Sequence, residues 1–119
     1  MPGISIHVVD VASGRVARGM RVEVSFAAAG ETIFSPLADG RISERGTLDE
    51  AALAQRFPAG RVEVLFHVGD WYRAGGQRLP DPAFLDVVRF DFGLATPDEH
   101  YHLPFKCTPW GFSCFRGGA

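Results

Sequence analysis

Arg61-Val62-Glu63-Val64-Leu65-Phe66-His67-Val68 is the clearest strand in the chain. In extended backbone Val62, Val64, Phe66 and Val68 share one face, and β-branched side chains favour that conformation. Pro58-Ala59-Gly60 closes the preceding segment, and Gly69 to Gly75 is too short for more than two helical turns. Toward the N-terminus, Ile4 to Asp10 alternates so that Ile4, Ile6 and Val8 share the core face while Ser5, His7 and Val9 share the other. Ala12-Ser13-Gly14-Arg15 is a turn signal, Met20 to Phe26 is a half-buried strand, and a short strand is expected at 31–35 after Gly30. Ala38-Asp39-Gly40-Arg41 reads as a turn that delivers Arg41 to the next extended piece. Ser43 to Gln55 reads as loop with a helical turn, anchored by Leu48, Leu53 and Phe57.

Toward the C-terminus, Phe84 to Phe92 is strand-like and Thr96-Pro97-Asp98-Glu99 breaks it. Tyr101 to Cys107 and Phe112 to Phe115 form a last hairpin around Thr108-Pro109-Trp110-Gly111. Seven or eight short strands and at most one short helix predict an all-β, two-sheet β-sandwich, with residues 1–119 as a single domain.

Composition narrows the function classes. The net charge of −2 and a pI of about 6.0, with scattered arginines, do not suit a nucleic-acid binder, so small molecules or proteins are the expected partners. No basic segment followed by an apolar stretch and cleavage site opens the chain, and no apolar run approaches the roughly 20 residues that span a bilayer. A cytoplasmic protein without a membrane partner is expected. The hairpin register makes Cys107 and Cys114 diagonal neighbours, poorly placed for a disulfide, so free and partly buried thiols are expected. Ile, Val and Phe on both faces of several strands exceed what one small core hides, which predicts association.

The ending His100-Tyr101-His102-Leu103-Pro104-Phe105-Lys106-Cys107-Thr108-Pro109-Trp110-Gly111-Phe112-Ser113-Cys114-Phe115-Arg116-Gly117-Gly118-Ala119 resembles the signature ending of 5-hydroxyisourate hydrolases, which are transthyretin-like proteins. That family carries Tyr-His-Val-Pro, then Ser-Pro-aromatic, then Tyr-Ser-Thr-Tyr-Arg-Gly-Ser. Ile6-His7-Val8-Val9-Asp10 with Ala12-Ser13-Gly14-Arg15 is similar to the family's opening, and Asp39-Gly40-Arg41 to its Asp-Gly-Arg turn. The resemblance implies a transthyretin-like sandwich of eight strands and a homotetramer with active sites in a central channel. It also implies hydrolysis of the lactam of 5-hydroxyisourate, a product of urate oxidation, without a metal or other cofactor. By motif, His7, Arg41 and His102 take the positions of three catalytic residues, and Ser113, Arg116 and Gly118 fall on the substrate-binding ending.

The chemistry of these side chains suits the reaction. Opening a cyclic amide needs an activated water, a polarised carbonyl and a proton for the leaving nitrogen. Two imidazoles near their ordinary pKa can share the proton work at neutral pH, and a forked guanidinium can pin a planar acidic heterocycle. A His-x-His pair, His100 and His102, would need a further ligand to hold zinc, and no Cys or carboxylate cluster at zinc spacing accompanies it. The departures fall near the implied pocket: Gly118 replaces the terminal Ser, Cys114 and Phe115 replace Thr and Tyr, Lys106 stands where the family is apolar, and Ala119 is extra. They leave open a divergent enzyme acting on another cyclic amide or imine, or a noncatalytic small-molecule binder.

Overall fold

The computed structural model describes residues 1–118; Ala119, noted above as an extra residue, lies outside them. Eight strands carry the fold: β1 (Gly3–Asp10), β2 (Arg15–Val16), β3 (Arg21–Ala28), β4 (Ser35–Arg41), β5 (Gly60–His67), β6 (Val87–Leu94), β7 (His100–Thr108) and β8 (Gly111–Cys114). A 3-10 turn at Ala51–Ala54 precedes β5, and one short helix, α1 (Val68–Ala74), follows it. The strands form two four-stranded sheets, ordered β2-β1-β7-β8 and β4-β3-β5-β6.

Alternation decides which side chains meet between the sheets. Val62, Val64 and Phe66 of β5, Val22 and Val24 of β3, Ile6 and Val8 of β1, and Phe105 of β7 are all buried. Phe66 stacks on Phe105 with ring centroids 3.8 Å apart, so one aromatic pair ties the two sheets together. At the end of β1, Asp10 is only 5% exposed. It accepts a 2.5 Å hydrogen bond from the hydroxyl of Tyr72 on α1, which roofs that end of the sandwich. Burial pushes the Asp10 carboxyl up, but hydrogen bonds from Tyr72, Ser13 and Ala12 outweigh it and hold the pKa below 3.8.

Neighbouring strands are antiparallel except β1 and β7, which run parallel with Ser5 opposite His102 and His7 opposite Pro104. Pro104 has no N–H to give, and it falls where pairing to the last strand is interrupted, between Phe105↔Cys114 and the bridge His102↔Gly117. Cys107 pairs with Phe112 and Cys114 with Phe105, so the two cysteines are diagonal and free. Burial pushes their thiols up to about 11 and about 12 respectively.

Three boundaries differ from those read in the sequence. Residues 31–34 are not a strand, since Glu31 folds back on Ala28 through both its N–H and its carboxylate. Residues 38–41 are not a turn but the end of β4, and Gly40 has no positive φ. The local preference of Asp39-Gly40 yields to six cross-strand pairs with β3, and Arg21, diagonal to Asp39 across the two strands, grips both its oxygens at 2.8 and 2.9 Å. Gly40 instead lets Glu50 approach closely, since a Cβ there would lie 2.8 Å from Glu50 Oε2 and the carboxylate would have to move aside. Finally, the strand expected from Phe84 begins at Val87, leaving Phe84 exposed.

Candidate active site

Burial of Ile4, Ile6 and Val8 turns Ser5, His7 and Val9 outward, and burial of Tyr101, Leu103 and Phe105 does the same to His100, His102 and Pro104. The parallel register then gathers Ser5, His7, His100 and His102 on one outer face. His7 and His102 are one strand and two residues apart, which sets their Cα atoms roughly 8 Å from each other. Ser5 Oγ stands 2.6 Å from His102 Nδ1 and 2.8 Å from His100 Nε2. Among the described residues, His100 Nδ1 is buried without a hydrogen-bond partner.

His102 is held neutral more firmly than a free imidazole. Burial lowers its pKa from 6.5, and the nearby His7 and His100 lower it further by like-charge repulsion. His7 has no side-chain hydrogen bond among the described residues, so its ring is available to a ligand or water. Its backbone bridges to Thr47, and the neighbouring Gly46 packs beneath the ring, where a Cβ would lie 2.7 Å from Nε2.

The C-terminal segment closes over the same face. Gly117 donates its N–H to the His102 carbonyl at 2.8 Å, and a Cβ at 117 would meet His102 Cδ2 at 2.9 Å. Arg116 lays its guanidinium 3.9 Å over the Tyr101 ring and bonds to the His100 carbonyl and to Glu99. A largely apolar pocket of about 220 Å³ lies alongside, lined by Phe90, Phe92, Gly93, Tyr101, His102, Leu103 and Arg116. Gly118 is exposed, with open space where a side chain would project. Ser113 sits farther off, opposite Lys106 in the β7–β8 pairing.

Arg41 is not part of this cluster. It ends β4 opposite Arg21, on the outer face of the other sheet, and donates to the Gly19 carbonyl at 3.1 Å. It lines a cleft of about 310 Å³ with Gly19, Arg21, His67, Asp70, Trp71 and Ala74. Its backbone is nonetheless tied toward His7: two residues on, Ser43 pairs with Thr47, which bridges to His7. Among the described residues, no three His, Cys, Asp or Glu side chains are placed to hold a metal ion, and no helix is long and apolar enough to cross a membrane.

Sequence reasoning did not assign Ser5 or give His100 a role. The signals were present, since Ser5 shares the His7 face and His100 the His102 face, but only the β1–β7 register brings the two faces into contact.

A family model described as "HIUase/Transthyretin family" matches residues 4–117. The chain is 39% identical over 120 residues to the "5-hydroxyisourate hydrolase 2" of Rhizobium meliloti (strain 1021), covering 96% of this chain and 94% of that one. Among solved structures, the 5-hydroxyisourate hydrolase of Klebsiella pneumoniae superposes with a TM-score of 0.77 at 28% identity, covering 99% and 100% of the two chains. An (S)-allantoin synthase superposes with a TM-score of 0.87 at 28% identity over 98% of this chain, which spans 43% of that longer one.

Proposed function

The chain belongs to the HIUase/Transthyretin family, and on that premise we propose that it is a cyclic amide hydrolase that opens the lactam of 5-hydroxyisourate in the breakdown of urate. The observation that carries the reading is the pairing of His7 and His102 on one outer face by the parallel β1–β7 register. The two imidazoles flank the reacting amide and divide between them the transfer of the water's proton and the polarisation of the carbonyl. Water adds its oxygen to the carbonyl carbon, the ring C–N bond breaks, and the departing nitrogen takes up a proton.

Arg41 is the electrostatic clamp in this reading. To serve, its exposed guanidinium leaves the Gly19 carbonyl and turns toward the His7 edge, or the site is completed where copies of the chain meet. Arg116 and Gly118 are assigned to substrate binding through the segment that crosses His102, and Ser113 through β8, opposite Lys106. Association as a homotetramer is part of the proposal and is supported by exposed apolar side chains at Phe84, Val87, Trp110, Phe112 and Phe115. A cytoplasmic setting suits the reading.

The test is to generate 5-hydroxyisourate in situ from urate and follow its ultraviolet decay with and without the protein. Accelerated decay that survives exhaustive chelation is expected. Decay at the spontaneous rate, or activity lost to chelator and restored by zinc, would overturn the reading. Sedimentation showing only a 12.9 kDa monomer at micromolar concentration would remove the shared-channel part of it.

A further inference from the structure

We infer that Ser5 and His100 are positioning residues: they form the chain His100 Nε2–H→Ser5 Oγ–H→His102 Nδ1, which holds neutral His102 with its proton on Nε2. The hydroxyl of Ser5 has one proton and two lone pairs, so it donates to one imidazole and accepts from the other, or it accepts from both and sends its proton elsewhere. Accepting from both would make the 2.6 Å contact with His102 a ring N–H bond shorter than the usual range of about 2.7–3.2 Å, and two separate observations select between the other two arrangements.

The first is distance. A hydroxyl donor reaches its acceptor at about 2.5–3.0 Å, whereas a ring N–H reaches oxygen at about 2.7–3.2 Å. The 2.6 Å contact with His102 Nδ1 falls below the ring N–H range and fits Ser5 as donor, whereas the 2.8 Å contact with His100 Nε2 lies in both ranges and is compatible with Ser5 as acceptor. The second is the orphaned atom. In the reverse arrangement Ser5 donates to His100 Nε2, so neutral His100 carries its proton on Nδ1, which is buried without a partner among the described residues. That would bury an unpaired N–H, the rarer and costlier kind of orphan. In the arrangement inferred, Nδ1 carries only a lone pair.

The register makes the chain possible. Ser5 stands opposite His102, and His100 is the preceding outward position on the same strand. Arg116 holds the backbone of His100 through its carbonyl.

The consequence deepens the proposed reaction and rests on that reading. A neutral imidazole with Nε2–H exposed and Nδ1 occupied is a hydrogen-bond donor, not a base. His102 therefore polarises the amide carbonyl and stabilises the oxygen on which charge develops. His7, whose ring has no side-chain hydrogen bond among the described residues, takes the proton from water and returns it to the departing nitrogen. The C–O bond forms, the C–N bond breaks, and one proton passes through His7.

The experiment is a long-range proton–nitrogen correlation spectrum of protein labelled with nitrogen-15 histidine, above pH 7, on the parent and on Ser5→Ala and Ser5→Thr. The parent should show His102 protonated at Nε2 and bare at Nδ1, and His100 likewise. Ser5→Ala should let His102 mix tautomers and lower kcat by about 10- to 100-fold, the scale on which partners that orient a ligating imidazole act, with KM little changed. Ser5→Thr keeps a hydroxyl on a strand-favouring residue and should restore both. His102 protonated at Nδ1 in the parent, or a tautomer unmoved by Ser5→Ala, would overturn the inference. If the parent does not turn over 5-hydroxyisourate, the reaction reading fails, and the spectra still decide the hydrogen-bonded chain on their own.

Discussion

Gly46 lies so close beneath His7 that any Cβ at position 46 would fall 2.7 Å from the imidazole Nε2 and 2.6 Å from Val16 Cγ1. The backbone there also has φ +87°. Gly46→Ala should therefore cost about 1–2 kcal/mol of stability from the left-handed backbone alone and also displace the imidazole, lowering turnover. Gly76→Ala is the control, with φ +88° and open space around it; it should lose stability without losing turnover. Thermal unfolding and the decay assay on both variants separate the two effects, and equal activities would show that the Gly46 contact does not position His7.

Tyr72 and Asp10 give a prediction about stability against pH. Tyr72→Phe should destabilise the fold by about 1–3 kcal/mol, because it leaves a buried carboxylate short of a donor. The folded pKa of Asp10 lies below 3.8, so its contribution is present above 3.8 and is lost as pH falls through the folded value. Removing the Tyr72 hydrogen bond raises that folded value, so the variant should show a smaller loss of stability on acidification. Denaturant unfolding measured across the acid range checks both the size and the slope.

His102 and His7 are linked through protonation. Burial is the larger cause of the lowered His102 pKa and repulsion from His7 the next. His7→Gln should therefore raise the His102 value while leaving it below 6.5, read by titrating the ring resonances. The sign for stability is the reverse of a salt-bridged histidine. The contribution of neutral His102 is full above 6.5 and is lost as pH falls through its lower folded value, because the unfolded chain takes up the proton first. An unchanged His102 titration in His7→Gln would mean the two rings do not sense each other.

The last residues separate a tolerant 5-hydroxyisourate hydrolase from a protein rebuilt for another ligand. Open space at Gly118 admits a hydroxymethyl group without displacement. If the substrate is 5-hydroxyisourate, Gly118→Ser with Ala119 deleted should raise turnover about tenfold to hundredfold, from a hydrogen bond worth about 1.5–3 kcal/mol. A parent without activity that this variant fails to rescue would favour another cyclic amide, or a binding protein.

How far the sequence could be read depended on the range of the interactions involved. β5 and β1 were legible because burial of one face imposes a two-residue period, and that period also gave the outward face of His7. The segment 38–41 misled because Asp-Gly is a local preference, while its pairing with β3 is decided by residues near position 20. The site divided in the same way. His7 and His102 were legible from motif and alternation, but Ser5 and His100 acquire meaning only through a parallel pairing of strands more than 90 residues apart. The orientation of Arg41 toward Gly19 likewise follows from side-chain contacts that no period encodes.

The most direct test of the whole account is the 5-hydroxyisourate decay rate of His7→Ala and His102→Ala beside the parent, each variant first checked for an unchanged fold by circular dichroism. His7→Ala should lower turnover by about 10²–10⁴-fold as loss of the proton-transfer group, and His102→Ala by about 10²–10³-fold as loss of the carbonyl-polarising donor, each leaving the fold intact. A folded variant lacking either imidazole and turning over at the parent rate would contradict the assignment of the reaction to this face.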